Sequence, residues 1–148
     1  MDSHTITDSD VAQILSGTKV IALIGYSDKP ERPSNMVAHF LKAKGYRVIP
    51  VNPGLAGQQA LGETVVRSLA EIDAPVDMVD IFRASDAVPA IVEEAVTHLP
   101  ELRTIWMQLG VISEDGAQRA RDAGLSVVMD RCPKIEIPRL GVKGPELD

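Results

Sequence analysis

Short apolar runs alternate along this chain with segments of helical period. The apolar runs have the length of β-strands and lack strict polar alternation. Strands that are covered by helices on both faces have this character. The pattern predicts five strands, at residues 19–24, 47–51, 76–82, 103–107 and 126–129.

The segments between these strands predict helices, because they offer capping residues and glycine stops. The predicted starts are Thr7 or Asp8 for an opening helix, the vicinity of Ser34 for the second, Asp86 for the helix after the third strand and Ser113 for the helix after the fourth. With Asp86 as cap, Pro89 falls in the first turn, where a missing N–H costs nothing. A short helix is also expected near residues 67–72, after a glycine-rich turn at 54–62.

Alternation of strands and helices predicts an α/β fold. We expect a Rossmann-like, doubly wound parallel sheet of five strands with the order 3-2-1-4-5, numbered along the chain. The 148 residues are most simply one domain. Its core is expected at residues 19–136, followed by a loose proline- and glycine-bearing tail at 137–148.

Composition narrows the class of protein. The 15 basic and 21 acidic side chains give a net charge of −6, which disfavours a nucleic-acid surface. No apolar run reaches the roughly 18 to 20 residues that span a bilayer, and the polar start does not resemble a signal peptide. The single cysteine, Cys132, fits a reducing interior. We therefore expect a cytoplasmic protein without a membrane or nucleic-acid partner.

In a sheet of this kind, ligands bind beyond the carboxyl ends of the strands, where the strand order reverses. With the expected order, that reversal lies between the first and fourth strands. The loops at residues 25–35, 52–54 and 108–110 should converge there, and Phe82 and Arg83 end the third strand at the same edge.

The residues of this edge do not match a dinucleotide site. Such a site needs several glycines in the first turn and an acid at the end of the second strand. Here the turn has only Gly25, and the strand ends in Asn52 and Pro53. Three cations, Lys29, Arg32 and Arg83, would instead suit a ligand with more than one phosphate. Alternatively, Gly25 only makes a tight turn and the cations are solvated.

Six segments resemble the stand-alone CoA-binding proteins, which share a Rossmann-like domain with the α-subunit of succinyl-CoA synthetase. The segments are IALIGYS (21–27), PERPS (30–34), YRVIPVNP (46–53), VDIFR (79–83), WMQLG (106–110) and VMDRCPKIE (128–136). The resemblance covers residues 19–136. The glycine-rich turn of the synthetase is here charged and carries prolines.

The resemblance implies a coenzyme A site. The diphosphate and 3′-phosphate would lie along the turn, the nucleotide end beside the end of the second strand, and the pantetheine beside the loop after the fourth strand. The residues of the turn are Gly25, Tyr26, Ser27, Lys29, Arg32, Pro33 and Ser34, and those at the end of the second strand are Val51, Asn52 and Pro53. The loop after the fourth strand contributes Gln108, Leu109 and Gly110. Phe82 and Arg83, at the end of the third strand, complete the expected site.

Catalysis is not indicated by these residues. We expect the second domain of the synthetase, which carries its phosphorylated histidine, to be absent, and no nucleophile accompanies His4, His39 or His98 in the sequence. The prediction is therefore a protein that binds coenzyme A or an acyl-CoA. Two alternatives stay open: a small enzyme or redox sensor that uses NAD(P) or a CoA thioester with Cys132 as its reactive group, and an interaction module that signals acyl-CoA levels to a protein partner.

Overall fold

The computed structural model describes residues 6–145. The helices are α1 (Asp8–Gly17), α2 (Pro33–Ala43), α3 (Val88–His98), α4 (Glu114–Asp122) and α5 (Pro133–Arg139). The strands are β1 (Val20–Ile24), β2 (Arg47–Val51), β3 (Gln59–Ala60), β4 (Glu63–Thr64), β5 (Met78–Ile81), β6 (Thr104–Met107) and β7 (Ser126–Val128).

The five predicted strands form one parallel sheet, and the α/β fold class is confirmed. Helices α3 and α4 bury one face of the sheet, while α1, α2 and α5 bury the other. We call these the α3/α4 face and the α2/α5 face. Neither face is left to water, which is why the strands lack polar alternation. Within residues 6–145, no helix has the length and apolar character needed to cross a bilayer.

The predicted strand order was wrong. The sheet runs β2-β1-β5-β6-β7, so the third of its strands, β5, pairs with β1 and not with β2. Pro50 in β2 explains the difference, because proline has no N–H for a ladder bond and is confined to edge strands. The expected order would have placed β2, and this proline, between two strands. The order therefore reverses between β1 and β5.

Local signals predicted most helix ends. Thr7 caps α1 in a capping box with Asp10, and Ser113 caps α4 by accepting a hydrogen bond from the Gly116 N–H at 3.0 Å. Asp86 is not the cap of α3. It lies in a single 3₁₀ turn, Ser85–Ala87, and α3 begins after it with Pro89 in its first turn. The predicted helix near residues 67–72 is likewise a 3₁₀ turn, Leu69–Glu71.

The tail after residue 136 is not loose at its start. Helix α5 extends to Arg139, and Ile137 is 1% exposed in the core of the α2/α5 face. The Arg139 guanidinium binds Glu136 at 2.6 Å and Asp8 of α1 at 2.8 Å. These contacts join the last helix to the first.

Tyr46 offers a test of how α1 is held. Its side chain is 2% exposed, and its hydroxyl donates to the Leu15 carbonyl at 2.5 Å. Burial raises the pKa of Tyr46 to about 12, so the hydroxyl stays a donor at neutral pH. We expect Tyr46→Phe to lower the free energy of unfolding by about 1 to 2 kcal/mol, because it leaves a helix-end carbonyl without its partner.

Chemical denaturation of Tyr46→Phe beside Tyr26→Phe would check this expectation. The Tyr26 hydroxyl only accepts a long bond of 3.4 Å from Asn35, so its loss should cost less. Equal costs for the two variants would contradict the role of the Tyr46 bond.

Candidate functional site

A cavity of about 650 Å³ opens at the carboxyl edge of the sheet, beside the reversal between β1 and β5. Its volume lies in the range of about 300 to 1,000 Å³ that is usual for small-molecule sites. Six of the predicted residues line it together: Gly25, Val51, Asn52, Pro53, Phe82 and Arg83. The order of the strands differs from the prediction, but the carboxyl ends of β1, β2 and β5 still meet at this cavity.

Gly25 lets β1 pass close to β5 at this point. Its φ is +87°, and a Cβ added there would overlap the Phe82 carbonyl oxygen. The Gly25 N–H donates to the Val51 carbonyl at 3.0 Å. Glycine is therefore required both by the backbone angle and by the space. The contact brings the ends of β1, β2 and β5 to one place.

Side chains hold the turn that follows Gly25. The Asn52 amide donates to the Tyr26 carbonyl at 2.7 Å, and the Asn35 amide donates to the Ser27 carbonyl at 3.0 Å. The Ser34 hydroxyl accepts a hydrogen bond from the Ser27 N–H, also at 3.0 Å. Polar groups that a turn would otherwise leave unpaired are thus bound by β2 and α2. The turn is therefore ordered by specific hydrogen bonds.

Tyr26 is buried under this turn, where it packs with the α2/α5 face. Burial raises the pKa of Tyr26, and the charge of Asp28 adds to the rise. Ser34 and Asn35 are buried as well. Tyr26, Ser34 and Asn35 therefore support the turn from its buried side.

The exposed side of the edge carries four cations, and the acids Asp28 and Glu31 lie on the same turn. Lys29 and Arg32 lie on the turn, Arg83 follows β5, and Arg67 borders the cavity. None of these four forms an ion pair with any residue between 6 and 145. Helix α2 begins beside them with Pro33, and no side chain within the described chain caps it. Cations without partners beside a helix start favour an anionic ligand.

Gln108, Leu109 and Gly110 lie apart from the cavity, in the loop after β6. Gln108 is 4% exposed, and it contacts Asp80 in the core instead of facing solvent. Leu109 is 56% exposed, and the Gly110 N–H donates to the Asp130 carboxylate at 2.7 Å. Only Leu109 and Gly110 are therefore accessible as the resemblance implied.

Asp80 is the buried acid of β5. It pairs in register with Leu23 and Trp106, so its side chain faces the α2/α5 face, and its exposed fraction is 0%. Burial raises the pKa of Asp80 well above its usual range. The other buried titratable side chains on this face of the described chain are Tyr26, Tyr46, Cys132 and Glu136.

Some cavity residues have no counterpart in the sequence prediction. They come from the end of β1, from residues 67–69 and from α3, and they are Ile24, Arg67, Ser68, Leu69, Ile91 and Glu94. Glu94 accepts a hydrogen bond from the Leu69 N–H at 2.7 Å, so it secures the turn to α3. No motif marks these positions. Asp80, in contrast, could have been noticed in the sequence, because it is an ionisable residue within the mostly apolar run at residues 76–82.

The remaining candidate groups lie elsewhere. Cys132 is buried at the start of α5 and does not border the cavity, while His39 and His98 are exposed on helices. His4 is outside the described residues. Between residues 6 and 145, no group of three His, Cys, Asp or Glu side chains could hold a metal ion.

A second cavity, of about 560 Å³, lies at the opposite edge of the sheet. Residues at the amino ends of β6 and β7 border it, among them Arg103 and Ser126, together with the end of α1. Ligands of open parallel sheets bind at the carboxyl edge. We therefore take the cavity beside Gly25 as the candidate site.

Comparison with known proteins assigns the family. A family model described as a CoA binding domain matches residues 19–138. The chain belongs to the CoA-binding domain family. The match covers β1 through most of α5, so the family includes the turn, the cavity and the α5 residues Ile137 and Pro138, which the prediction had placed in a loose tail.

Two relatives are similar over nearly the whole chain. The Bacillus subtilis (strain 168) protein YneT, described as uncharacterized, is 40% identical over 86% of this chain and 91% of its own length. The structure of cell-free ID.343 from Thermus thermophilus is 35% identical, with a TM-score of 0.85 over 91% of this chain and 99% of that one.

A larger enzyme shares the fold. The dinucleotide-forming acetyl-coenzyme A synthetase 1 of Ca. Korarchaeum cryptofilum, in complex with phosphate and ADP, has a TM-score of 0.64 at 19% identity. The likeness covers 82% of this chain and 27% of the enzyme.

The close approach at Gly25 predicts a steep cost for any side chain there. We expect Gly25→Ala to lower the free energy of unfolding by about 2 kcal/mol or more, since backbone strain and overlap with the Phe82 carbonyl add. Gly124→Ala is the matched control, because Gly124 has a φ of +85° but open space around its Cβ position. Urea denaturation should show a clearly smaller loss for the control. Similar losses would mean that the contact with Phe82 is not what requires glycine.

The buried carboxyl of Asp80 predicts a pH-dependent difference between wild type and Asp80→Asn. A raised pKa means that the folded protein keeps a proton that the unfolded chain releases, so this contribution to stability is full below the unfolded pKa and is lost as pH rises through the folded one. We expect the variant to gain on wild type between pH 4 and pH 7, by at most about 1.4 kcal/mol per pH unit.

Denaturation curves of both proteins across that range would measure the difference. Asp10→Asn is a control of opposite sign, because hydrogen bonds from Thr7 lower the pKa of Asp10. That carboxylate stabilises above its unfolded pKa, and its contribution is lost as pH falls. A difference for Asp80→Asn that does not change with pH would contradict a raised pKa.

Proposed function

We propose that this protein binds coenzyme A, or an acyl derivative of it, at the carboxyl edge of the sheet. The observation that carries the proposal is the convergence, in a member of the CoA-binding domain family, of the Gly25 turn with the ends of β2 and β5 around one cavity. The nucleotide end of the ligand occupies the cavity beside Asn52, Pro53 and Phe82. The pantetheine arm runs toward Leu109 and Gly110.

The phosphates lie on the turn and the start of α2. A helix start presents free N–H groups and a partial positive charge, and Pro33 gives up no bond there because its ring nitrogen has no hydrogen. The hydrogen bonds that Ser27 makes with Ser34 and Asn35 set the turn before any ligand arrives. Binding then requires little ordering of the backbone, which lowers its entropic cost.

The basic residues select the ligand. Coenzyme A carries a diphosphate and a 3′-phosphate, and Lys29, Arg32 and Arg83 supply three exposed positive charges at this edge. A dinucleotide would need an acid at the end of β2 to hold its ribose, where Asn52 stands with its oxygen bound to the Gly54 N–H at 2.8 Å. Asn52 shapes the loop and offers no carboxylate. The site thus favours coenzyme A over NAD(H).

Calorimetric titration tests this function with three ligands. We expect coenzyme A to bind, and dephospho-CoA and NADH to bind about tenfold more weakly, because each lacks a contact worth about 1.4 kcal/mol or more. Equal affinity for coenzyme A and dephospho-CoA would remove the 3′-phosphate assignment. Absence of coenzyme A binding at millimolar concentration would overturn the function.

Charge variants locate the phosphate contact within the same experiment. Arg83→Ala, Lys29→Ala and Arg32→Ala should each weaken coenzyme A binding, and the variant that removes the 3′-phosphate partner should also abolish the preference over dephospho-CoA. Arg103→Ala is the matched control, since Arg103 lies at the amino edge of the sheet and lines the other cavity. A loss of affinity in the control equal to that in the other variants would show that only net charge matters.

A further inference from the structure

Asp80 is buried where an apolar residue would be expected. Its neighbours along β5 are Met78, Val79 and Ile81, all fully buried, and its partners in register are Leu23 and Trp106. Burying a carboxyl group carries a desolvation cost that an apolar side chain of similar size does not. Stability of the core alone does not account for an acid at this position.

The side chain of Gln108 forms a hydrogen bond with Asp80. With its amide nitrogen turned toward the carboxyl group, Gln108 donates to that group, and the nitrogen lies 2.9 and 3.1 Å from its two oxygens. Gln108 is itself 4% exposed and is the first residue after β6. Its backbone N–H also binds β5, through the Ile81 carbonyl at 3.3 Å. Asp80 therefore holds the root of the loop that leaves β6.

Hydrogen bonds hold that loop at three of its next four residues. The Val111 N–H donates to the Gln108 carbonyl at 2.8 Å, and Asp130 accepts from the Gly110 N–H at 2.7 Å. The Ser85 hydroxyl accepts from the Ile112 N–H at 2.9 Å. Leu109 and Ile112 project from it, with 56% and 51% of their surfaces exposed. A fixed loop thus presents an exposed leucine at the carboxyl edge.

We propose that Asp80 is a positioning residue for the ligand: through Gln108 it fixes the loop at residues 108–111 against the edge of the sheet where coenzyme A binds. The role in binding rests on the proposed function. Asp80 does not touch the ligand, because it is fully buried beneath the loop. It acts on affinity by setting where Leu109 and Gly110 stand before the ligand arrives.

A second acid, at the other end of β5, provides a matched control. Asp77 lies just before β5, at the amino edge, and its carboxylate accepts hydrogen bonds from the Lys19 and Val20 N–H groups, both at 2.7 Å. Asp77 therefore secures β1 to β5 at the end remote from the site. Asp80 and Asp77 are acids joined by hydrogen bonds to a neighbouring strand or loop, and only Asp80 contacts the loop beside the ligand.

The experiment compares Asp80→Leu, Asp80→Asn and Asp77→Asn by melting temperature and by calorimetric titration with coenzyme A. We expect Asp80→Leu to raise the Kd about tenfold without a matching fall in melting temperature. Asp80→Asn keeps the shape and a hydrogen bond to Gln108, so it should stay within about twofold of wild type. Asp77→Asn should lower the melting temperature and leave the Kd unchanged. Wild-type affinity in Asp80→Leu, or an equal loss in Asp77→Asn, would overturn the proposal.

A readout without ligand separates this inference from the proposed function. Amide hydrogen exchange should accelerate at Gly110 and Val111 in Asp80→Leu and not in Asp77→Asn. Unchanged exchange at these two amides would overturn the positioning role even if coenzyme A binds. If wild type does not bind coenzyme A, the function fails, and exchange still decides whether Asp80 holds the loop. Should Asp80→Leu not fold, Gln108→Leu removes the same contact from the other side and carries the same expectations.

Discussion

The candidate site depends on one close contact, between the backbone of Gly25 and the carbonyl of Phe82. At this point β1 and β5 are neighbours in the sheet, yet the chain leaves β1 toward α2 on one face and leaves β5 toward α3 on the other. The two connections diverge, and a cavity opens between them. A side chain at position 25 would push the two strand ends apart. The hydrogen bonds of Asn52, Ser34 and Asn35 then hold the turn after Gly25 on this contact.

Charge and burial divide the carboxyl edge into two parts with different physical roles. On the outside, Lys29, Arg32 and Arg83 remain exposed and lack ion pairs within residues 6–145, so their fields reach solvent. On the inside, Asp80 and Gln108 satisfy each other in a region without water-exposed surface. The outer groups would attract the anion that we propose, whereas the inner pair carries a desolvation cost and fixes the position of the loop after β6. Such a division is typical of sites in which recognition requires a loop to be in place beforehand.

The sequence predicted those features that depend on neighbouring residues. Thr7 and Ser113 cap their helices as expected, and all five strands of the sheet form where apolar runs occur. Strand order depends on pairing between distant segments, and the signal that could have corrected it was Pro50, which belongs at an edge. Helix α5 was not predicted, because the prolines and glycines after residue 136 indicated a loose tail, although burial of Ile137 stabilises the helix. Gln108 was expected at the ligand, since no local pattern showed that Asp80 lies beneath it.

The edge position of β2 also bears on whether another chain can add a strand to the sheet. An edge strand offers free backbone groups on which another chain can add a strand and start an aggregate. Pro50 removes one donor from that edge, and Val66 covers the next groups, since its N–H binds the Pro50 carbonyl at 3.1 Å and its carbonyl accepts from Asn52 at 2.9 Å. The opposite edge strand, β7, is only three residues long. The proline at this edge therefore also limits the growth of the sheet, and Pro50→Ala would return one backbone N–H with which a second molecule could pair.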